Sequence, residues 1–96
     1  MKYQLTRYEK YKDNKGNITS IFVAVLVDDE RGNSLVQEHW LSPDEVASVL
    51  ADENNLIPIL TKVAAEGTIR LEQEIANRPQ PLKIANEEKN YNYLPN

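Results

Sequence analysis

The chain is expected to fold as an α+β domain, a three-stranded antiparallel β-meander followed by two α-helices (β-β-β-α-α) and an irregular C-terminal tail. Three observations predict this. Two turn-forming clusters divide the segment up to Leu41 into three strand-like pieces. A helix start at Ser42 satisfies several local rules at once. From Leu56 to Ile75 apolar residues recur with a helical period.

The opening segment, Lys2 to Lys12, carries Tyr and Thr and ends at Asp13-Asn14-Lys15-Gly16-Asn17, residues that tolerate positive φ and read as a hairpin loop. Ile18 to Asp28 is dense in β-branched residues and is the strongest strand. Asp29-Glu30-Arg31-Gly32-Asn33 makes the second turn, and Ser34 to Leu41 the third strand. Short loops between consecutive strands favour the order 1-2-3, with the apolar strand in the middle.

Ser42 is a good N-cap, Pro43 suits the first helical position, and Glu45 completes a capping box. Asp44 and Glu45 place negative charge at the positive end of the helix dipole. Leu41 and Val46 occupy the positions of a hydrophobic staple. This helix buries Val46, Val49 and Leu50 and stops at Asp52-Glu53-Asn54-Asn55, where acidic residues oppose the dipole and predict a frayed end. The second helix begins near Leu56 or Pro58, capped by Asn54 or Asn55, and runs to Asn77. Its stripe is Leu56, Ile59, Leu60, Val63, Ala64, Gly67, Leu71 and Ile75. Lys62, Glu66, Arg70 and Glu74 form a ladder of opposite charges on its outer side. Arg78-Pro79-Gln80-Pro81 ends it. Residues 1–79 thus read as one domain and residues 80–96 as an irregular or arm-like tail.

The 96 residues fit a single domain, and 11 basic against 15 acidic side chains give a net charge of -4. A protein whose main work is gripping a phosphate backbone usually carries the opposite excess. With no cysteine, disulfides, thiolate nucleophiles and Cys-ligated metals are excluded, and the compartment tilts toward the cytoplasm. The longest apolar run, Ile21 to Val27, is far short of the ~20 residues of a membrane span, and the first seven residues lack the apolar stretch of a signal peptide. Asn17-Ile18-Thr19 fits a glycosylation sequon but, without an export signal, reads as coincidence.

The central strand carries the main functional signal. Ile21, Val23, Val25 and Val27 point to one face, Phe22, Ala24 and Leu26 to the other, so both faces want burial. At ~25 cal/mol per Å², leaving one of them wet forgoes several kcal/mol out of a net stability of ~5–15. Two helices joined by a short connection stay on one side of a sheet. A helix of about twenty residues spans ~30 Å, more than an eight-residue strand at ~27 Å, so the end around Leu71 and Ile75 is expected to overhang. An uncovered face and an overhanging helix end both imply a partner, simplest as a second copy of the chain. The expected contact residues are Ile21, Val23, Val25, Gly67, Leu71, Ile75, Tyr91 and Tyr93. The competing reading is that the C-terminal tail covers the second face.

Two other classes are weaker. Lys2, Arg7, Tyr8, Lys10 and Tyr11 interleave cations with aromatics, as a nucleic-acid-binding sheet requires. Residues 1–20 hold five basic and two acidic side chains, a local +3, whereas the remainder holds six and thirteen, -7, and repels such a ligand. The same residues suit an edge strand, where Lys guards against aggregation and Tyr packs well, and this reading is preferred. Glu38-His39 contains the only imidazole, with no Cys, no nucleophile motif and no second His for a metal, so catalysis or ligand binding near His39 is weakly supported. His39 is expected to share a face with Leu35, Gln37 and Leu41, while Trp40 and Val36 lie opposite, Trp40 anchoring a helix on the sheet. Gly67 marks either a close approach of another backbone or a weak point in the helix. Asp28-Asp29-Glu30 matches no calcium loop and reads as a solvated turn, and no glycine-rich phosphate loop is present. The expectation is therefore a non-catalytic, cytoplasmic protein-interaction module that forms a homodimer or binds another protein, with no cofactor, no metal and no membrane, and with nucleic acid as the disfavoured alternative partner.

Overall fold

A computed structural model describes residues 1–79. Three strands, β1 (Lys2–Lys12), β2 (Ile18–Asp28) and β3 (Ser34–Trp40), form one antiparallel sheet in the order β1-β2-β3. Helix α1 (Pro43–Ala51), a 3-10 turn (Glu53–Asn55) and helix α2 (Leu56–Ala76) complete the described chain. The α+β meander-then-helices layout is the one the sequence predicts.

The turns close through their aspartates. Asp13 Oδ1 accepts from the backbone N–H of Lys15 and Asn17, and Gly16 takes φ +84°. Asp29 Oδ1 accepts from Arg31 and Asn33 in the same way, with Gly32 at φ +92°. A side chain that mimics a turn hydrogen bond while glycine supplies the positive φ suffices to reverse the chain. Hydrogen bonds from Asn33 hold the Asp29 carboxyl below the usual aspartate range.

At Ser42 the capping box forms in both directions: Glu45 N–H donates to Ser42 Oγ, and Ser42 N–H to Glu45 Oε1. The staple residues Leu41 and Val46 are both buried. The expected frayed end of α1 is not seen. Asp52 N–H and Asn55 Nδ2 both donate to Ser48 O, so a terminal carbonyl that the dipole leaves exposed is capped twice. Asn55 is spent on that task and does not cap α2 with its side chain; α2 instead grows out of the 3-10 turn, whose N-cap is Asp52.

Both helices lie on one face of the sheet, α2 running across β2 and β3. Ile21, Val23, Val25 and Val27 meet Leu56, Ile59, Val63 and Leu71 in a single core with Leu35, Leu41, Val46 and Val49. This corrects the expected contact surface. Ile21, Val23 and Val25 are sealed beneath the helices, and Leu71 is 0% exposed rather than overhanging. The reason is length: β2 has eleven residues, ~37 Å, and provides a full seat for the ~31 Å of α2. Ile75 packs partly buried on the same core, and beyond it Arg78 Nη1 donates to Asn33 Oδ1 of the β2–β3 turn at 2.6 Å. The expected contacts Tyr91 and Tyr93, like the tail reading, lie outside the described residues.

Gly67 is buried and so is not a contact residue either, and what approaches it is not another backbone but side chains of its own sheet. A Cβ there would stand 2.8 Å from Val27 Cγ2 and 3.0 Å from Gln37 Cβ. Alanine gains ~1 kcal/mol of helix propensity. Overpacking a filled core costs ~1–3 kcal/mol, and Val27 is fully buried. Gly67→Ala is therefore expected to lower stability by about 1 kcal/mol net in urea unfolding, with an unchanged m-value; a rise in the midpoint would show that α2 slides freely on the sheet.

Candidate association surface

The face of the sheet turned away from the helices carries Lys2, Gln4, Arg7, Glu9 and Tyr11 from β1, Phe22, Ala24 and Leu26 from β2, and Val36, Glu38 and Trp40 from β3. A β-bulge produces this set. Between Leu5 and Arg7 the register shifts by one, leaving Thr6 unpaired, with its hydroxyl donating to Ala24 O at 3.1 Å. Leu5 consequently faces the helices while Arg7, two residues on, faces away from them.

Phe22 and Ala24 are buried although no helix covers them. Their cover comes from neighbouring strands. The Arg7 guanidinium lies 4.6 Å from the Phe22 ring centroid, a cation–π contact. Trp40 tilts onto Phe22 at 4.8 Å and onto Tyr11 at 5.5 Å between centroids. Arg7 grips Glu9 through Nε (3.3 Å) and Nη2 (2.7 Å), and Tyr11 Oη donates to Glu9 Oε1 at 2.7 Å. Arg7 and then Tyr11 hold the Glu9 carboxyl below the usual glutamate range, while Glu9 raises the Tyr11 phenol above its ordinary value. This roof shields Phe22 but is itself apolar on top: Trp40 is 57% exposed and Val36 43%. Trp40 thus lies opposite the helices, with Val36 as the alternation predicts, and the helix-anchoring role is not what it performs.

Both edges of the sheet are guarded. β1 is an edge strand with Lys2, Lys10 and Lys12 and the bulge at Thr6, features that discourage another strand from pairing. At the β3 edge Arg70 Nη1 reaches Val36 O (3.5 Å) and Gln37 Oε1 (3.2 Å), covering an outward carbonyl. The apolar surface open to a partner is a face, not an edge.

The five residues of the nucleic-acid reading do not form one patch. Lys2, Arg7 and Tyr11 point to the open face, Tyr8 and Lys10 to the helix side. Each cation also has a carboxylate: Lys2 pairs with Glu30, Arg7 with Glu9, and Lys10 with Glu53. Tyr8 Oη donates to Glu53 at 3.0 Å, and burial followed by this bond raises its pKa. Cations already neutralised and split between two faces are poorly placed to track a phosphate backbone.

His39 lies on the helix side, with Nε2 3.0 Å from Glu45 Oε1, the same oxygen that closes the capping box. Ser42 N–H and then His39 hold Glu45 below its ordinary value. The imidazole fastens the end of β3 to the start of α1. An apolar groove of about 480 Å³ lies instead between β1 and α2, lined by Tyr3, Leu5, Val25, Leu60 and Ala64 among others, and Tyr3 Oη spans to Thr68 Oγ1 at 2.7 Å. Among the described residues no cluster of His and carboxylates could hold a metal ion, and no helix is long and apolar enough to cross a membrane.

Compared with protein-family models, curated proteins and solved structures, the chain matches none of them. Any functional reading therefore rests on the surface just described. Sequence reasoning missed Trp40 and Val36 as the exposed apolar pair of this face, with Leu26 half-buried beside them and Phe22 buried beneath. The signal was present in the opposite parity of Trp40 and His39, but a lone large aromatic reads equally well as a core anchor.

Proposed function

We propose that the protein is a non-catalytic, cytoplasmic association module that binds a second copy of itself through the open face of its sheet. The observation that carries this reading is the exposed aromatic and aliphatic set on a rigid platform, Trp40 above all. Trp, Tyr and Arg are the residues most enriched at interface hot spots, and here Trp40 contacts Tyr11 and Phe22 while Arg7 lies over Phe22. Guarded edges leave face-to-face packing as the open mode, the arrangement of a β-sandwich split between two chains, with sheets ~10 Å apart.

Three strands and the seven residues of β3 offer a face ~14 Å wide and ~24 Å long, roughly 340 Å² per subunit against the ~800 Å² of a standard interface, so the association is expected to be weak and reversible. A dissociation constant in the micromolar range is expected. Sedimentation equilibrium across that range should show the mass rising from 11.0 kDa to twice that value. A single-chain mass at every concentration would overturn the proposal.

A further inference from the structure

The pattern of charge across the open face selects one way of pairing it. We infer that the two copies stack with their two-fold axis parallel to the strands, over Ala24, so that Arg7 of each subunit meets Glu38 of the other. This rests on the self-association reading above and adds the geometry of the contact.

Three cross-strand rows make up the centre of the face: Gln4–Leu26–Val36, Arg7–Ala24–Glu38 and Glu9–Phe22–Trp40. The middle row has a cation on β1, an anion on β3 and the smallest side chain of the face between them. An axis parallel to the strands lays each β1 over the partner subunit's β3. Each Arg7 then faces the partner subunit's Glu38, and Leu26 and Phe22 each face their own copies. An axis perpendicular to the strands, in the plane between the sheets, lays β1 over β1. In that arrangement Arg7 faces Arg7 and Glu38 faces Glu38, and like charges opposed at a closed interface select against it.

Three unused groups support the same choice. Glu9 occupies Nε and Nη2 of Arg7, leaving Nη1 for a second carboxylate. Glu38 makes no hydrogen bond or ion pair among the described residues and is exposed on β3. The indole N–H of Trp40 also makes no hydrogen bond among the described residues, and the parallel axis sets it opposite the partner subunit's Glu9, an acceptor. At a sheet separation of ~10 Å, arginine and glutamate side chains extending from facing strands are long enough to meet.

The test is a charge exchange read by sedimentation equilibrium. Arg7→Glu alone and Glu38→Arg alone should each weaken the homodimer by about tenfold or more. An equimolar mixture of the two variants should restore association to near the wild-type constant as a one-to-one heterodimer, because every facing pair is again of opposite sign. Should Arg7→Glu fail to fold, single Arg7→Cys and Glu38→Cys variants of this cysteine-free chain take its place with a short bis-maleimide. Crosslinked dimer confined to the mixture supports the arrangement. Crosslinking of each variant with itself overturns it. A wild-type dimer indifferent to both reversals, or a mixture that stays dissociated, also overturns the arrangement while leaving self-association standing. A monomeric wild type removes the underlying reading instead.

Discussion

Leu71→Ala is expected to lower the unfolding free energy by about 2–5 kcal/mol, and Leu71→Asp to leave no cooperative unfolding transition. Leu71 is 0% exposed and belongs to the same core as Val63 and Val27, themselves fully buried, where α2 meets the sheet. Truncation to Ala removes three carbon atoms and leaves a cavity bounded by β-branched side chains, which are stiff at χ1 and collapse poorly into space. A carboxylate at that site would be desolvated within the apolar core, at a cost comparable to the whole net stability of a domain this size. Chemical denaturation monitored by the fluorescence of Trp40 and by far-ultraviolet circular dichroism measures both variants. A Leu71→Ala variant as stable as the wild type would mean that the distal half of α2 stands off the sheet.

Trp40→Asp is expected to behave in the opposite way, abolishing association while sparing the fold. In the isolated subunit Trp40 is more than half exposed and contributes chiefly its contacts with Phe22 and Tyr11, worth ~0.5–1.5 kcal/mol. At an interface the same side chain would be an anchor, and truncated anchors cost ~2 kcal/mol or more, which is about thirtyfold in a dissociation constant. In the proposed arrangement the aspartate also adds a charge facing Glu9 of the partner subunit. At concentrations where the wild type is dimeric, the variant should sediment at the mass of one chain and unfold within ~1.5 kcal/mol of the wild-type subunit. Undiminished dimerisation would move the contact elsewhere, and the groove beside Leu5 would be the next surface to test by Leu5→Asp. The pair of variants separates two roles that apolar residues share in a sequence: one holds the subunit together, the other holds subunits to each other.

How these roles were distributed was only partly legible beforehand. The helix start at Ser42 was readable because every determinant lies within a few residues and acts through local hydrogen bonds and dipoles. The meander was readable because Asp13, Gly16, Asp29 and Gly32 reverse the chain without help from elsewhere. Alternation along β2 correctly separated Ile21, Val23, Val25 and Val27 from Phe22, Ala24 and Leu26. It could not say which group the helices cover, since both are apolar.

Period, capping and turn chemistry, each acting over a few residues, are what the sequence by itself determined: three strands, two helices, their order, and a middle strand too apolar for a single covered face. Packing decided the rest. Both helices chose the side with four β-branched residues and placed Gly67 against Val27, a match of shapes across forty residues of chain. The bulge at Thr6 turned Arg7, Glu9 and Tyr11 onto the side left open, where they roof Phe22 beside Trp40. A one-residue shift of register moves every later side chain to the other face, and its energy depends on cross-strand and helix contacts that no local window contains.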